Sequence, residues 1–230
     1  MVAVGFTLTG KAESSADTKS VLGTELASER TCRIIFPERA KNAPEAAYLY
    51  DGKKSHQVRL PSANFSKVID LPSGELTVLL SSTEITDPTI IPPSATELQV
   101  EESVRDFYIL VSSDITDTES PLKLRLIDAS DEKISIGDTL WINSTDHEIS
   151  AKLGEQDVAV SPKSETVSKS PISTSGYYKA EFRYQPNAKG DFYKITEQQW
   201  WHDPDSKHIG FIVDSGGRLP KIYYFRDFRL

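Results

Sequence analysis

A single cysteine, Cys32, in 230 residues excludes an intramolecular disulfide and any zinc cage built from thiolates. It adjoins the apolar run Ile34-Ile35-Phe36, where a half-buried structural thiol is expected. No helix N-terminus or basic partner that would turn it into a thiolate nucleophile is evident in the sequence. No stretch approaches 18 apolar residues, so no membrane span is expected. Basic residues are outnumbered, 26 Lys and Arg against 34 Asp and Glu, for a formal charge of -8. With a pI near 5.1, such a chain is repelled by phosphate backbones, and nucleic acid is not an expected partner. The basic C-terminal residues Arg218, Lys221, Arg226 and Arg229 interleave with Tyr223, Tyr224, Phe225 and Phe228, which reads as a last strand pinning the tail.

Catalytic signatures are missing as well. There is no G-x-S-x-G elbow, P-loop, strand-borne G-x-G-x-x-G or H-E-x-x-H. With 34 acidic residues, spacing alone selects no carboxylate pair for glycoside hydrolysis. The chain is therefore expected to be non-enzymatic, with no cofactor and no bound metal.

What is present is period-2 alternation. Tyr177 to Tyr184 places Tyr178, Ala180, Phe182 and Tyr184 on one face and Lys179, Glu181 and Arg183 on the other. Leu122 to Leu126 and Glu75 to Leu80 alternate in the same way. One packed face and one wet face is the condition of antiparallel sandwiches. Turn signals punctuate the strands: Asp51-Gly52 after Ala47–Tyr50, Pro72-Ser73-Gly74 between Val68–Leu71 and Glu75–Leu80, and Ser215-Gly216-Gly217 between Ile209–Val213 and Lys221–Phe225. Such spacing without a helical period predicts an all-β protein of Ig-like or related sandwiches.

The pattern runs through the chain twice. A shift of 91 positions pairs Leu49 with Leu140, Tyr50 with Trp141, His56 with His147, and Ile34–Phe36 with Arg125–Ile127. Further on the shift becomes 102, pairing Leu76 with Tyr178 and Tyr108–Val111 with Gly210–Val213. Pro-, Thr- and Ser-rich Ser81–Thr96 reads as a crossover between sheets, and Ser161–Gly176 as an insertion into the second copy. The polar, acidic stretch Ser113–Pro121 is the expected linker. We therefore expect two tandem antiparallel β-sandwich domains, 31–118 and an enlarged 119–230, behind a poorly structured segment 1–30. Each has the common size of a domain. Within that segment, the apolar stretch MVAVGFTLTG and the small-x-small pattern Gly10-Lys11-Ala12 suggest a signal-peptide remnant and an extracytoplasmic location, secreted or periplasmic.

Candidate binding residues concentrate in Gln198–His208, QQWWHDPDSKH. Asp203-Pro204-Asp205-Ser206 is expected to close a hairpin, with His202 and His208 about 5 Å apart across its ladder. Together with Asp203 or Asp205 they form a candidate metal site, and hence an alternative as a metal-dependent hydrolase, although no recognised ligand spacing is present. Neighbouring strand residues face opposite ways, so Trp200 and Trp201 are expected on opposite faces, one as an inter-domain plug or as an exposed platform for sugars. Trp141 and Tyr50 are read as structural, and His56 and His147 as turn-flanking surface residues. Asn64-Phe65-Ser66 and Asn143-Ser144-Thr145 match the glycosylation acceptor pattern. Asp114, Asp117 and Glu119 offer carboxylates for Ca²⁺ but lack the glycine and fixed spacing of a calcium loop. The expected role is a binding or structural module of the cell envelope contacting an unidentified protein or glycan, with carbohydrate binding through Trp200 or Trp201 as the alternative.

Overall fold

The computed structural model describes residues 30–39, 43–113, 122–186, 190–214, 216–217 and 219–228, and these contain no helix. Segments 1–29 and 114–121 lie outside the described residues, and with them the N-terminal expectations, most of the linker and the Ca²⁺ carboxylates. Arg218 and Arg229 lie outside as well.

The first eight strands are β1 (Arg30–Ile35), β2 (Ala46–Tyr50), β3 (Ser55–Arg59), β4 (Ile69–Leu71), β5 (Leu76–Ser81), β6 (Thr96–Val100), β7 (Asp106–Ser113) and β8 (Leu122–Asp128). The next eight are β9 (Thr139–Asn143), β10 (Glu148–Leu153), β11 (Gln156–Val160), β12 (Glu165–Ser168), β13 (Gly176–Gln185), β14 (Tyr193–His202), β15 (Lys207–Val213) and β16 (Lys221–Asp227). They form four four-stranded sheets: I (β3-β2-β5-β6), II (β4-β1-β7-β8), III (β12-β9-β15-β16) and IV (β11-β10-β13-β14). This is the expected pair of tandem β-sandwiches. The second is larger in its strands, since β13 and β14 have 10 residues each where β5 has 6 and β6 has 5. Pairing is antiparallel except for β1–β7 and β9–β15, which run parallel. Neither couple is joined by a hairpin, so turn geometry does not dictate their direction.

Strand pairing is the same in the two halves, but the 91-residue shift is one strand out of phase. Leu49 lies on β2, whereas Leu140 lies on β9, the counterpart of β1. Strands a few residues long, all with the same in-out period, look alike when displaced by a whole strand. The 102-residue shift is in phase, matching β5 with β13 and β7 with β15. The division expected near residue 118 falls early, because β8 hydrogen-bonds to β7 and completes sheet II. Ser161–Gly176 is no insertion: it contains β12, which pairs with β9 as β4 pairs with β1. Ser81–Thr96 joins neighbours within sheet I instead of crossing, whereas Pro72-Ser73-Gly74, read as a turn, lies in a link that changes sheets.

Alternation explains the packing. Within the first sandwich Cys32, Ile34, Phe107, Ile109 and Val111 of sheet II meet Leu49, Val58, Val78 and Leu80 of sheet I. The opposite face of sheet II is also apolar. Ile35, Tyr108 and Ile127 pack on Leu140, Ile142, Ile209, Phe211 and Phe225 of sheet III, with Phe65 between. Sheet III in turn covers sheet IV through Trp141 and Ile212 against Ile149, Ala151, Tyr178 and Phe182. The layers therefore stack I–II–III–IV. Large buried side chains contribute roughly 1.5–3 kcal/mol each, so the middle layer joins the halves far more firmly than a linker would.

Polar clamps seal that junction. Buried Asp227 accepts from the Tyr108 hydroxyl at 2.6 Å and pairs with Arg33, whose guanidinium also reaches the Phe228 carbonyl. Lys207 Nζ donates to the Ala129 carbonyl and lies 2.7 Å from Asp131. At the far end of the first sandwich the fully buried Arg30 donates to the carbonyls of Pro72, Gly74, Glu101, Glu102 and Val104, tying together the links that enter β5 and β7. Cys32 is fully buried, deeper than the half-burial expected, and burial pushes its thiol well above the ordinary range.

Candidate functional site

The register of β13 against β14 sets Tyr177 opposite Trp201, Tyr178 opposite Trp200 and Gly176 opposite His202. Strand alternation then turns Trp200 and His202 inward and Trp201 outward. Trp200 is not a plug between the halves. Its ring lies 4.7 Å from Tyr224, 5.2 Å from Phe182 and 6.1 Å from Trp141, inside the second sandwich. The middle layer is filled instead by Phe65, Tyr108, Phe211 and Phe225. Trp141 lies flat on β15, where a Cβ on Gly210 would stand 2.1 Å from its ring, and its Nε1 donates to Ser168 Oγ at 3.0 Å.

The expected hairpin is absent, because β14 belongs to sheet IV and β15 to sheet III. Asp203–Ser206 is an inter-sheet corner. Asp203 accepts from Ser206 Oγ at 2.9 Å and from the Asp205 amide at 3.2 Å, with Arg226 3.6 Å away. Burial acts to raise its carboxyl, and these donors together hold it below the usual range. His202 and His208 do lie 5.0 Å apart, but ring on ring across the sandwich and not across a ladder. Ser170 Oγ gives its one proton to the Ile172 carbonyl, so it accepts from His202 Nε2 at 2.6 Å, and Nδ1 of His202 bears the lone pair. His208 is stacked between His202 and Tyr224, at 5.3 Å from the latter, and among the described residues neither ring nitrogen makes a hydrogen bond of normal geometry. Burial, and then the neighbouring His202, push its pKa down to about 4.

The histidines are buried, Asp205 points to solvent, and among the described residues no three His, Cys, Asp or Glu side chains converge. His56 pairs with Asp51 at 2.7 Å on β3, and His147 rests edge-on against Tyr184 ahead of β10. Asn143 is buried, its amide donating to the carbonyls of His147, Val160 and Ser161, so it is a structural residue and not a glycan acceptor, whereas Asn64 is exposed.

The accessible chemistry is on the other face of the same strands. Trp201 is 45% exposed and Tyr177 69% exposed, their rings 5.0 Å apart and inclined at 79°. Beside this aromatic corner runs a cleft of about 490 Å³ lined by Lys152, Glu155, Ile172, Lys179 and Glu181. Glu197 bridges Lys179, at 2.6 Å, and Lys194, which together draw its pKa down to about 2. Tyr177 was missed in the sequence. The signal lay in the doublet Tyr177-Tyr178, which alternation splits as it splits Trp200-Trp201. No protein-family model matches this chain, and no curated protein matches it.

Proposed function

We propose that this protein is a non-enzymatic, extracytoplasmic module of the cell envelope that binds carbohydrate on the outer face of sheet IV. The exposed Tyr177–Trp201 corner carries this reading. Sugar rings present flat C–H faces that stack on an indole, and hydroxyl rims that need charged and amide partners. Lys152, Lys179, Glu181 and Gln199 lie on strands around the corner and supply those partners. Binding without turnover is supported by the burial of His202 and His208, which keeps both imidazoles from any ligand on this face. Export is supported by the apolar start and Gly10-Lys11-Ala12, and is tested by fractionating source cells: a purely cytoplasmic pool refutes it.

The decisive experiment is a glycan array probed with the full chain and with Trp201→Ala. Saturable binding lost in the variant is expected. Trp201 is nearly half exposed and touches Tyr177 edge-on, so the variant should lose about 1–2 kcal/mol and remain folded. No binding, or binding that survives Trp201→Ala, refutes the reading.

A further inference from the structure

Besides strand length, the two sandwiches differ at the mouth between the edge strands, β3 and β4 in the first and β11 and β12 in the second. In the second half the connection is Ser161–Ser164, and Asn143 ties it shut by donating from Nδ2 to Val160 and Ser161 and from its backbone amide to Ser164. In the first half the connection runs from Leu60 to Val68, and the mouth opens into a cleft of about 900 Å³.

Among the described residues, one wall of this cleft is an unpaired strand edge, the outer side of β3. The bonds Leu60 N–H to Glu45 O and Asp51 N–H to Lys54 O fix the phase of the β2–β3 ladder. In that phase Ser55, Gln57 and Arg59 turn their backbone N–H and C=O groups away from β2, toward the opening. Val58, Phe65 and Ile69 form an apolar floor, and Val68 is 48% exposed at the lip. Lys54, Arg59 and Lys67 stand on the rim, exposed and without an ion pair among the described residues, against the single rim acid Asp70. On a chain of formal charge -8 this is a local reversal of sign.

We propose that this cleft is a second binding site, which takes an extended acidic peptide as an added strand along β3. Backbone groups of the peptide would pair with Ser55, Gln57 and Arg59, alternate apolar side chains would reach the floor, and carboxylates would meet Lys54, Arg59 and Lys67. A second copy joined β3 to β3 brings like charges together, so the rim that attracts an acidic segment also guards the edge against self-association.

The test uses the full chain and two capped octapeptides, one alternating valine with glutamate and one alternating valine with lysine. Binding is followed by amide shifts and by hydrogen exchange at Gln57 and Arg59. The glutamate peptide is expected to saturate one site and to slow exchange at both amides. It is expected to weaken about tenfold or more in the surface double variant Arg59→Glu/Lys67→Glu, which in turn gains the lysine peptide. Failure of the glutamate peptide to saturate by about 1 mM overturns the proposal. So does equal binding of both peptides, or a dimer through β3 that charge reversal leaves intact.

Discussion

Replacing His208 with phenylalanine should remove an acid sensitivity built into the second sandwich. In the folded chain the imidazole titrates at about 4, whereas an exposed histidine titrates near 6.5. A depressed pKa means that the unfolded chain takes up a proton as the pH falls below about 6.5 while the folded chain does not. Stability is therefore complete above that value and is lost as the pH descends toward about 4. The separation of roughly 2.5 pKa units corresponds to about 3 kcal/mol, a large part of the 5–15 kcal/mol typical of a folded domain. His202 is displaced in the same direction by burial and adds to the loss. Phenylalanine keeps a flat ring between His202 and Tyr224 and gives up only a weak approach of the imidazole to the Asp138 backbone, since among the described residues neither ring nitrogen makes a hydrogen bond of normal geometry. Urea unfolding followed by tryptophan fluorescence should give parent and variant stabilities within about 1 kcal/mol at pH 7.5. By pH 4.5 the parent should have lost about 2.5 kcal/mol more than His208→Phe. Parallel pH profiles would refute the argument that burial keeps this imidazole neutral.

Gly210→Ala places a methyl group inside the ring of Trp141, so a loss of at least about 2 kcal/mol is expected in urea unfolding, with partial recovery when Trp141 is also reduced to leucine. Arg30→Met removes the donor shared by five carbonyls in a fully buried setting, and thermal unfolding should report a loss of about 3–5 kcal/mol.

Much of the strand pattern was legible because alternation is a local property. Leu122–Leu126, Tyr177–Tyr184 and, from Leu76 onward, Glu75–Leu80 lie on strands of the expected facing, and the glycines of two expected hairpin turns, Gly52 and Gly216, adopt positive φ. The stacking of the two halves also had a signal. Phe107–Val111 and Ile209–Val213 are nearly unbroken apolar runs, as strands buried on both faces require. The hairpin expected at Asp203–Ser206 failed for a different reason. A turn sequence records that the chain reverses, but not whether the next strand pairs with the last one or crosses to the facing sheet. At Asp51-Gly52 it pairs, and at Asp203–Ser206 it crosses.

By itself the sequence determined the secondary-structure class, the in-out assignment within many strands and the duplication of the pattern, since each depends on neighbours along the chain. Only the tertiary structure decided which strands are partners, that sheets II and III share a core, that His202 and His208 are sealed in, and that Trp201 finds Tyr177 in the open. Those outcomes depend on contacts between residues far apart in the chain, and a period of two residues is the same for every partner a strand might take.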